Sequence, residues 1–196
     1  MNTTLITFCT PDYKHIYAKH IGPCIKVLKL EPYTHYAIDK LDSWAGITRI
    51  KPRIILQELK KGNPVLYVDV DAEITSAEVM NIDNIVPTQY SMACAFLHWG
   101  EWCGSSSDKI EPMTGTLFFR PSAIPLVELW AELCSMGDMP DNKYFEQVVD
   151  HESKDVFHLP IKWSYINSLP DGSKGLIPCG NPLVIHYQAS RQMRNK

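Results

Sequence analysis

No Cys-x-x-Cys pair occurs in the chain, and its six cysteines, Cys9, Cys24, Cys94, Cys103, Cys134 and Cys179, are scattered. This spacing argues against both a zinc site and a disulfide framework, and for reduced, mostly buried thiols. Long hydrophobic runs are missing as well: every apolar stretch is broken by Lys, Glu, Pro or Gly far short of the roughly 20 residues a membrane-spanning helix needs. A net charge of -3 provides no basic field for an anionic membrane, and nucleic acid stays open as a partner without being favoured. There is no internal repeat or low-complexity tract, which excludes solenoids and fibrous arrays. The opening residues Met1 to Phe8 lack the basic start, apolar stretch and cleavage site of a secretory signal, so a cytoplasmic location is expected.

What is present has ordinary globular composition, 45% hydrophobic and 21% charged over 196 residues, and one compact domain over 1–196 is expected. Leu5 to Cys9 reads as a strand ended by Thr10-Pro11-Asp12. Ile16, Tyr17, Ile21, Ile25 and Leu28 then recur at helical spacing, with Gly22-Pro23 imposing a break. Tyr33 to Ile38 is a second strand, a helix carrying Ile54, Ile55 and Leu59 stops at Gly62, and Pro64 to Val68 is an apolar run typical of a strand buried on both faces. This β-α-β-α-β order predicts an α/β fold, Rossmann-like, with a mostly parallel central sheet flanked by helices and ligands at the strands' carboxyl ends.

Further on, Met92 to Leu97 and Met113 to Phe119 read as strands separated by a Gly- and Ser-containing loop, residues 100–109, long enough to be a mobile flap near the ligand. Ser122 is positioned to cap one helix, and Asp141 to cap another running to Glu152. Val156 to Leu159 and Leu183 to Ile185 close the strand set. The chain therefore divides into residues 1–90, residues 91–190 and a basic tail, residues 191–196.

The chemistry-bearing feature is Asp69-Val70-Asp71 at the end of the buried strand. Carboxylates at i and i+2 of an extended backbone share one side and point into one cleft. Two such groups suit Mg²⁺ or Mn²⁺, which take oxygen ligands and leave positions for water and substrate phosphates. The alternative is that both merely cap a turn, since a bare Asp-x-Asp triplet is common.

Lys60 to Ile74, spanning this triplet, resembles the D-x-D segment of nucleotide-diphospho-sugar transferases with the GT-A fold. Gly115 to Arg120 followed by Leu129-Trp130 resembles that superfamily's Gly-x-hydrophobic-Phe-Arg and Leu-x-x-Trp elements, and Phe145-Glu146-Gln147 lies where an Asp-Gln pair often stands. Val156 to Pro160 with Trp163 echoes a Leu-Pro and Trp-Asn segment, and Val184 to Tyr187 resembles the terminal His motif. The match is thin but ordered across most of the chain.

The resemblance implies a metal-dependent glycosyltransferase with Mn²⁺ or Mg²⁺ held by Asp69, Asp71 and His186, a nucleotide-sugar donor (UDP-sugar favoured), and an acceptor hydroxyl of unknown identity. A hydrogen-bonded core histidine is the other reading of His186. Lys51 and Arg53 would touch donor phosphate or ribose, or else line a solvated helix face, and Thr10 would lie beside the nucleotide base. Glu146 is the expected catalytic acid-base or sugar-binding residue, with Asp141 as its alternative. The family's His-x-x-Gly-x-x-Lys tail is not kept: Ala189 replaces the Gly, and Arg191, one residue before the Lys position, is offered for phosphate. Trp99, Trp102 and Trp163 could stack on a sugar or base, or anchor the core.

Two rivals remain. The Asp-x-Asp phosphatases carry their motif near the chain start, followed by Thr or Val, whereas Glu73 stands there in this mid-chain motif. A nucleotide-sugar-binding module without turnover is the other. Acceptors open at this level are a glycan, a protein, a small molecule or hydroxymethylated bases of viral DNA.

Overall fold

The computed structural model describes residues 2–39, 41, 43–168 and 179–187. The chain runs β1 (Thr4–Cys9), α1 (Lys14–Lys19), α2 (Ile21–Leu28), β2 (Tyr33–Ala37), α3 (Trp44–Thr48), α4 (Lys51–Leu59), β3 (Val65–Val68) and β4 (Ala72–Ile74). It continues with α5 (Ile82–Ile85), β5 (Met92–His98), α6 (Trp99–Cys103), β6 (Ile110–Phe119), α7 (Ile124–Met136), α8 (Asp141–Val148), β7 (Val156–His158), β8 (Tyr165–Ile166) and β9 (Val184–His186).

Six strands form the central sheet in the order β2-β1-β3-β6-β5-β7, and β6 alone runs against the others. It pairs antiparallel with β5 on one side and β3 on the other, and the connection from β5 carries α6. The mostly parallel α/β sheet expected from the strand pattern is therefore present.

Both faces of the sheet are covered, and period-two alternation sorts the residues. Leu66 and Val68 of β3 join Leu5, Phe118 and Trp163 in one core under α2, while Val65 and Tyr67 join Ile6, Phe119, Trp130 and Phe145 in the other under α4, α7 and α8. Strands buried on both faces must be apolar throughout, and β1 and β3 are buried at every position. Gly62, at φ 92°, turns the chain from α4 into β3 in a conformation that suits glycine.

Several local expectations are corrected. The break between α1 and α2 falls at His20, and Gly22-Pro23 sits in the first turn of α2, where a proline costs no helical hydrogen bond. Residues 100–109 are a loop only in part: α6 reaches to Cys103 with Trp102 buried, residues 104–109 are exposed, and the Trp99 amide donates to the Lys109 carbonyl at 3.1 Å, closing the segment's base. Ser122 is exposed and does not cap α7. The helix from Asp141 ends at Val148, and Asp141 is its first residue rather than its cap, because its side chain is drawn to Lys51. β9 does not close the main sheet but forms a small second sheet, β4-β9-β8.

All six cysteines are unpaired. Among the described residues no helix is long and apolar enough to cross a membrane.

Arg120, at the end of β6, is a structural clasp. Its guanidinium donates to Asp83 Oδ1 at 2.8 Å and to the carbonyls of Asp83, Val86, Pro87 and Tyr90 at 2.6 to 2.9 Å, so the fork saturates the loop between α5 and β5. A lysine offers three donors from one point and cannot reproduce this planar pattern. Arg120→Lys is expected to cost about 2–3 kcal/mol, because carbonyls left without a donor carry a desolvation penalty. Chemical denaturation should show a lower midpoint at unchanged slope.

Candidate active site

A cleft of about 360 Å³ opens at the carboxyl ends of β1 and β3 and is lined from both halves of the chain. At its floor Asp69, Asp71 and His186 each bring one potential ligand atom to within 4.8 Å of the others. The convergence has a different cause from the one the triplet implied. The backbone is not extended here: Val70 and Asp71 are the middle of a turn in which the Ala72 amide donates to the Asp69 carbonyl at 3.1 Å. The turn folds the two carboxylates together, and β4, starting directly after it, pairs Ala72 with His186 of β9. The Tyr187 amide also donates to the Asp71 carbonyl at 3.3 Å.

His186 is buried, and Thr116 Oγ1 lies 2.9 Å from its Nε2. Burial pushes its pKa down to about 4, so the imidazole is neutral at physiological pH, the form that binds cations. The Thr116 contact is of the kind that fixes the tautomer of a ligating histidine. On the ring's other boundary stands Gly115, where an added Cβ would lie 2.6 Å from His186 Cε1.

Lys51 is buried, 3% exposed, and its ammonium meets Asp69 Oδ1 at 3.2 Å, Asp141 Oδ2 at 3.0 Å and the Thr114 carbonyl at 3.0 Å. The Thr114 carbonyl accepts a hydrogen bond from it, and the two carboxylates pair with its charge. It lines the cleft and is paired with both carboxylates. Burial works against its charge, and the carboxylates of Asp141 and Asp69 outweigh that, holding its pKa above the usual lysine value. Tyr67, beneath Lys51, donates to Asp69 Oδ1 at 2.5 Å. With Oδ1 held twice, the second oxygen of Asp69 is the one presented to a ligand.

Of the other expected residues, Thr10 lines the cleft with its hydroxyl buried and without a hydrogen-bond partner, as does Ser164. Arg53 is exposed and does not line the cleft, because α4 turns it to the opposite side from Lys51. Arg191 lies outside the described residues.

Asp141 is on the cleft, whereas Glu146 is behind it, its carboxylate 2.7 Å from Lys143 and 3.7 Å from Lys109. An acidic residue followed by an amide occurs twice along this helix, as Asp141-Asn142 and as Glu146-Gln147. The first pair falls on the cleft and the second does not, because positions five apart on a helix lie about 140° apart around it. Trp102 and Trp163 are core residues, and Trp99 lines the cleft. Sequence reasoning missed Tyr13 and Trp44, which line the cleft beside Thr10, and Glu111 on β6. Glu111 accepts from Trp99 Nε1 at 2.9 Å, Lys109 Nζ at 2.7 Å and Asn142 Nδ2 at 3.0 Å.

No protein-family model matches the chain, and no curated protein does. Solved structures do. A glycosyltransferase involved in glycosylation of the major capsid of PBCV-1 superposes with a TM-score of 0.66 over 98% of this chain and 97% of that one, at 14% identity. The galactosyltransferase LgtC, in complex with donor and acceptor sugar analogues, gives 0.59 over 95% and 87% at 10% identity. Mouse xyloside xylosyltransferase 1 gives 0.57 over 96% and 98% at 11% identity. The fold is that of the GT-A glycosyltransferases. At these identities the likeness speaks for the fold, and the chemistry rests on the cleft's own residues.

Two outcomes follow from this geometry. Gly115→Ala should destabilise the protein by about 1–3 kcal/mol, the usual cost of overpacking, since the buried His186 ring has little room to retreat; a thermal melt reads this. Burial alone would raise the Glu111 carboxyl, but hydrogen bonding from Lys109 and Trp99 and the charge of Lys143 hold it down to about 2. A depressed carboxylate adds stability that is complete above its unfolded pKa and is lost as pH falls through the folded one. The stability difference between wild type and Glu111→Gln should therefore be greatest above pH 4.5 and shrink towards pH 2.

Proposed function

We propose that the chain is a metal-dependent glycosyltransferase that moves a sugar from a nucleotide-diphosphate sugar, UDP-sugar favoured, to an acceptor hydroxyl. The observation that carries this reading is the Asp69, Asp71 and His186 cluster on the floor of the cleft, in a fold shared with solved glycosyltransferases. Two carboxylates and one neutral imidazole make a mixed oxygen and nitrogen donor set that fits Mn²⁺ well and Mg²⁺ less well, Mg²⁺ preferring oxygen alone. A cation held there would neutralise charge on the departing diphosphate.

The chain's own residues supply the rest. Residues 1–90 provide the donor side, with Thr10, Tyr13 and Trp44 framing the space for a nucleoside. Lys51 fixes Asp69 and Asp141 in a single geometry, so that no reorganisation is needed when substrate arrives. Residues 91–190 provide the acceptor side, where Asp141 and Asn142 reach the cleft. Asp141 is tied to Lys51, and Glu111 is too weak a base near neutral pH with a pKa of about 2. A departing diphosphate oxygen is then the better acceptor for the proton released by the attacking hydroxyl.

A screen of UDP-, GDP-, ADP- and CMP-sugars, each with and without Mn²⁺ or Mg²⁺, tests the reading by thermal shift. A donor at a hundredfold excess over its dissociation constant adds about 2.7 kcal/mol. The expected result is a shift that requires both sugar nucleotide and metal and disappears in Asp71→Ala. Turnover in that variant should fall about a thousandfold, since a catalytic metal contributes several kcal/mol and ~1.4 kcal/mol is tenfold in rate. Normal turnover in Asp71→Ala sinks the mechanism, and donor binding without any turnover moves the reading to a binding module.

A further inference from the structure

One wall of the cleft lies outside the Asp69, Asp71 and His186 cluster and the proposed nucleoside frame of Thr10, Tyr13 and Trp44. Trp99 of α6, Glu111 of β6, and Asn142 and Lys143 of α8 all line it, so three elements converge on one patch. The indole is pinned by its edge, its Nε1 donating to Glu111 Oε2 at 2.9 Å, and Trp102 packs edge-on against it at 5.3 Å between ring centroids. Glu111 Oε1 in turn accepts from Asn142 Nδ2 at 3.0 Å. The Lys109 ammonium lies over the indole at 5.9 Å from its centroid, and Lys109 does not itself line the cleft, so a half-buried aromatic side chain is held there with a cation, an amide and a carboxylate around it.

The patch is wired to the donor floor. From Trp99 the contacts pass to Glu111, to Asn142, through the backbone to Asp141, and by way of Lys51 to Asp69. Whatever binds on the patch is therefore set at a fixed position relative to Asp69.

Its charge narrows the occupant. Lys109 and Lys143 are matched by Glu111 and Glu146, at 2.7 Å for the Lys109–Glu111 pair and 2.7 Å for the Lys143–Glu146 pair. Two ammonium groups satisfied by two carboxylates offer no surplus positive charge to a phosphate backbone. A flat apolar surface with polar groups at its edge instead matches a molecule that is apolar on one face and carries hydroxyls around its rim. A pyranose ring has that form.

We propose that Trp99, Glu111, Asn142 and Lys143 form the acceptor subsite and that it takes a neutral pyranoside, with the sugar face on Trp99 and its hydroxyls bonded to Asn142 and Glu111. This rests on the glycosyltransferase reading for its role in transfer, while binding of the pyranoside itself does not. No charge is moved on binding, and the hydroxyl presented to the donor is one not held by the patch.

The test uses the full chain with p-nitrophenyl glucosides, galactosides, mannosides and xylosides as probes. Saturation-transfer NMR without donor reads binding, and transfer kinetics with the donor identified by thermal shift read use. At least one glycoside should bind, and Trp99→Ala should weaken it tenfold or more. Trp99→Phe, which keeps a ring but loses the Nε1 anchor, should retain more affinity than Trp99→Ala. In transfer, Trp99→Ala should raise the acceptor KM at least tenfold more than the donor KM. Glycoside binding without any transfer defeats the transferase reading and leaves the pyranoside site standing. Donor turnover with no glycoside bound, binding unchanged in a folded Trp99→Ala, or transfer to an oligonucleotide or peptide that glycosides do not inhibit, overturns the subsite.

Discussion

The buried ammonium of Lys51 is the contact on which the cleft depends. Asp69 and Asp141 come from elements 72 positions apart in sequence and would repel each other across a low-dielectric space. Lys51 stands between them and donates to the Thr114 carbonyl, so the start of α4, the end of β3, the start of α8 and β6 meet at one nitrogen. Isolated buried charges are costly, and one paired with two carboxylates is tolerated only where the geometry around it is fixed. The same contact decides what the two carboxylates can do. Asp69 has one oxygen immobilised by Lys51 and Tyr67, and Asp141 is held as an ion-paired group rather than a helix cap.

A second constraint is the three-stranded sheet outside the central one. Only through the pairing of β4 with β9 does a histidine from the end of the described chain stand beside a carboxylate from its middle. Gly115 and Thr116 then bound the ring, one by lacking a side chain and the other by hydrogen bonding. The Gly-x-hydrophobic-Phe-Arg stretch therefore serves three separate needs within six residues. Gly115 makes room for His186, Phe118 and Phe119 enter the two opposite cores, and Arg120 pins the loop after α5.

How much of this could be read beforehand differs by residue for physical reasons. Asp69 and Asp71 were legible because a carboxylate pair directly after a fully apolar strand is a local pattern. The turn that joins them was not, since an extended continuation and a turn share the same residues until the Ala72 amide finds the Asp69 carbonyl. Lys51 was found as a cation near the motif, but its partners lie on α8 and β6, and no local signal separates a phosphate-reaching lysine from one that is buried and consumed. That Asp141 lines the cleft and Glu146 does not was not legible, because two similar acidic-amide pairs share a helix, and only its packing on β6 and α7 shows which turn faces the cleft.

The amino-acid order by itself determined the sheet-forming segments, the doubly covered α/β class, the position of Asp69 and Asp71 at a strand end, and the absence of a disulfide framework. These follow from periodicity and from side-chain chemistry along a few consecutive residues, which the chain carries wherever it folds. Tertiary structure alone decided that β6 runs antiparallel, that His186 reaches Asp71 through a second sheet, that Lys51 is spent on two carboxylates, and that Trp99 and Glu111 share a wall with Asn142. Each of those is a contact between segments far apart in sequence, and such contacts are fixed by the packing of whole elements, to which local pattern is blind.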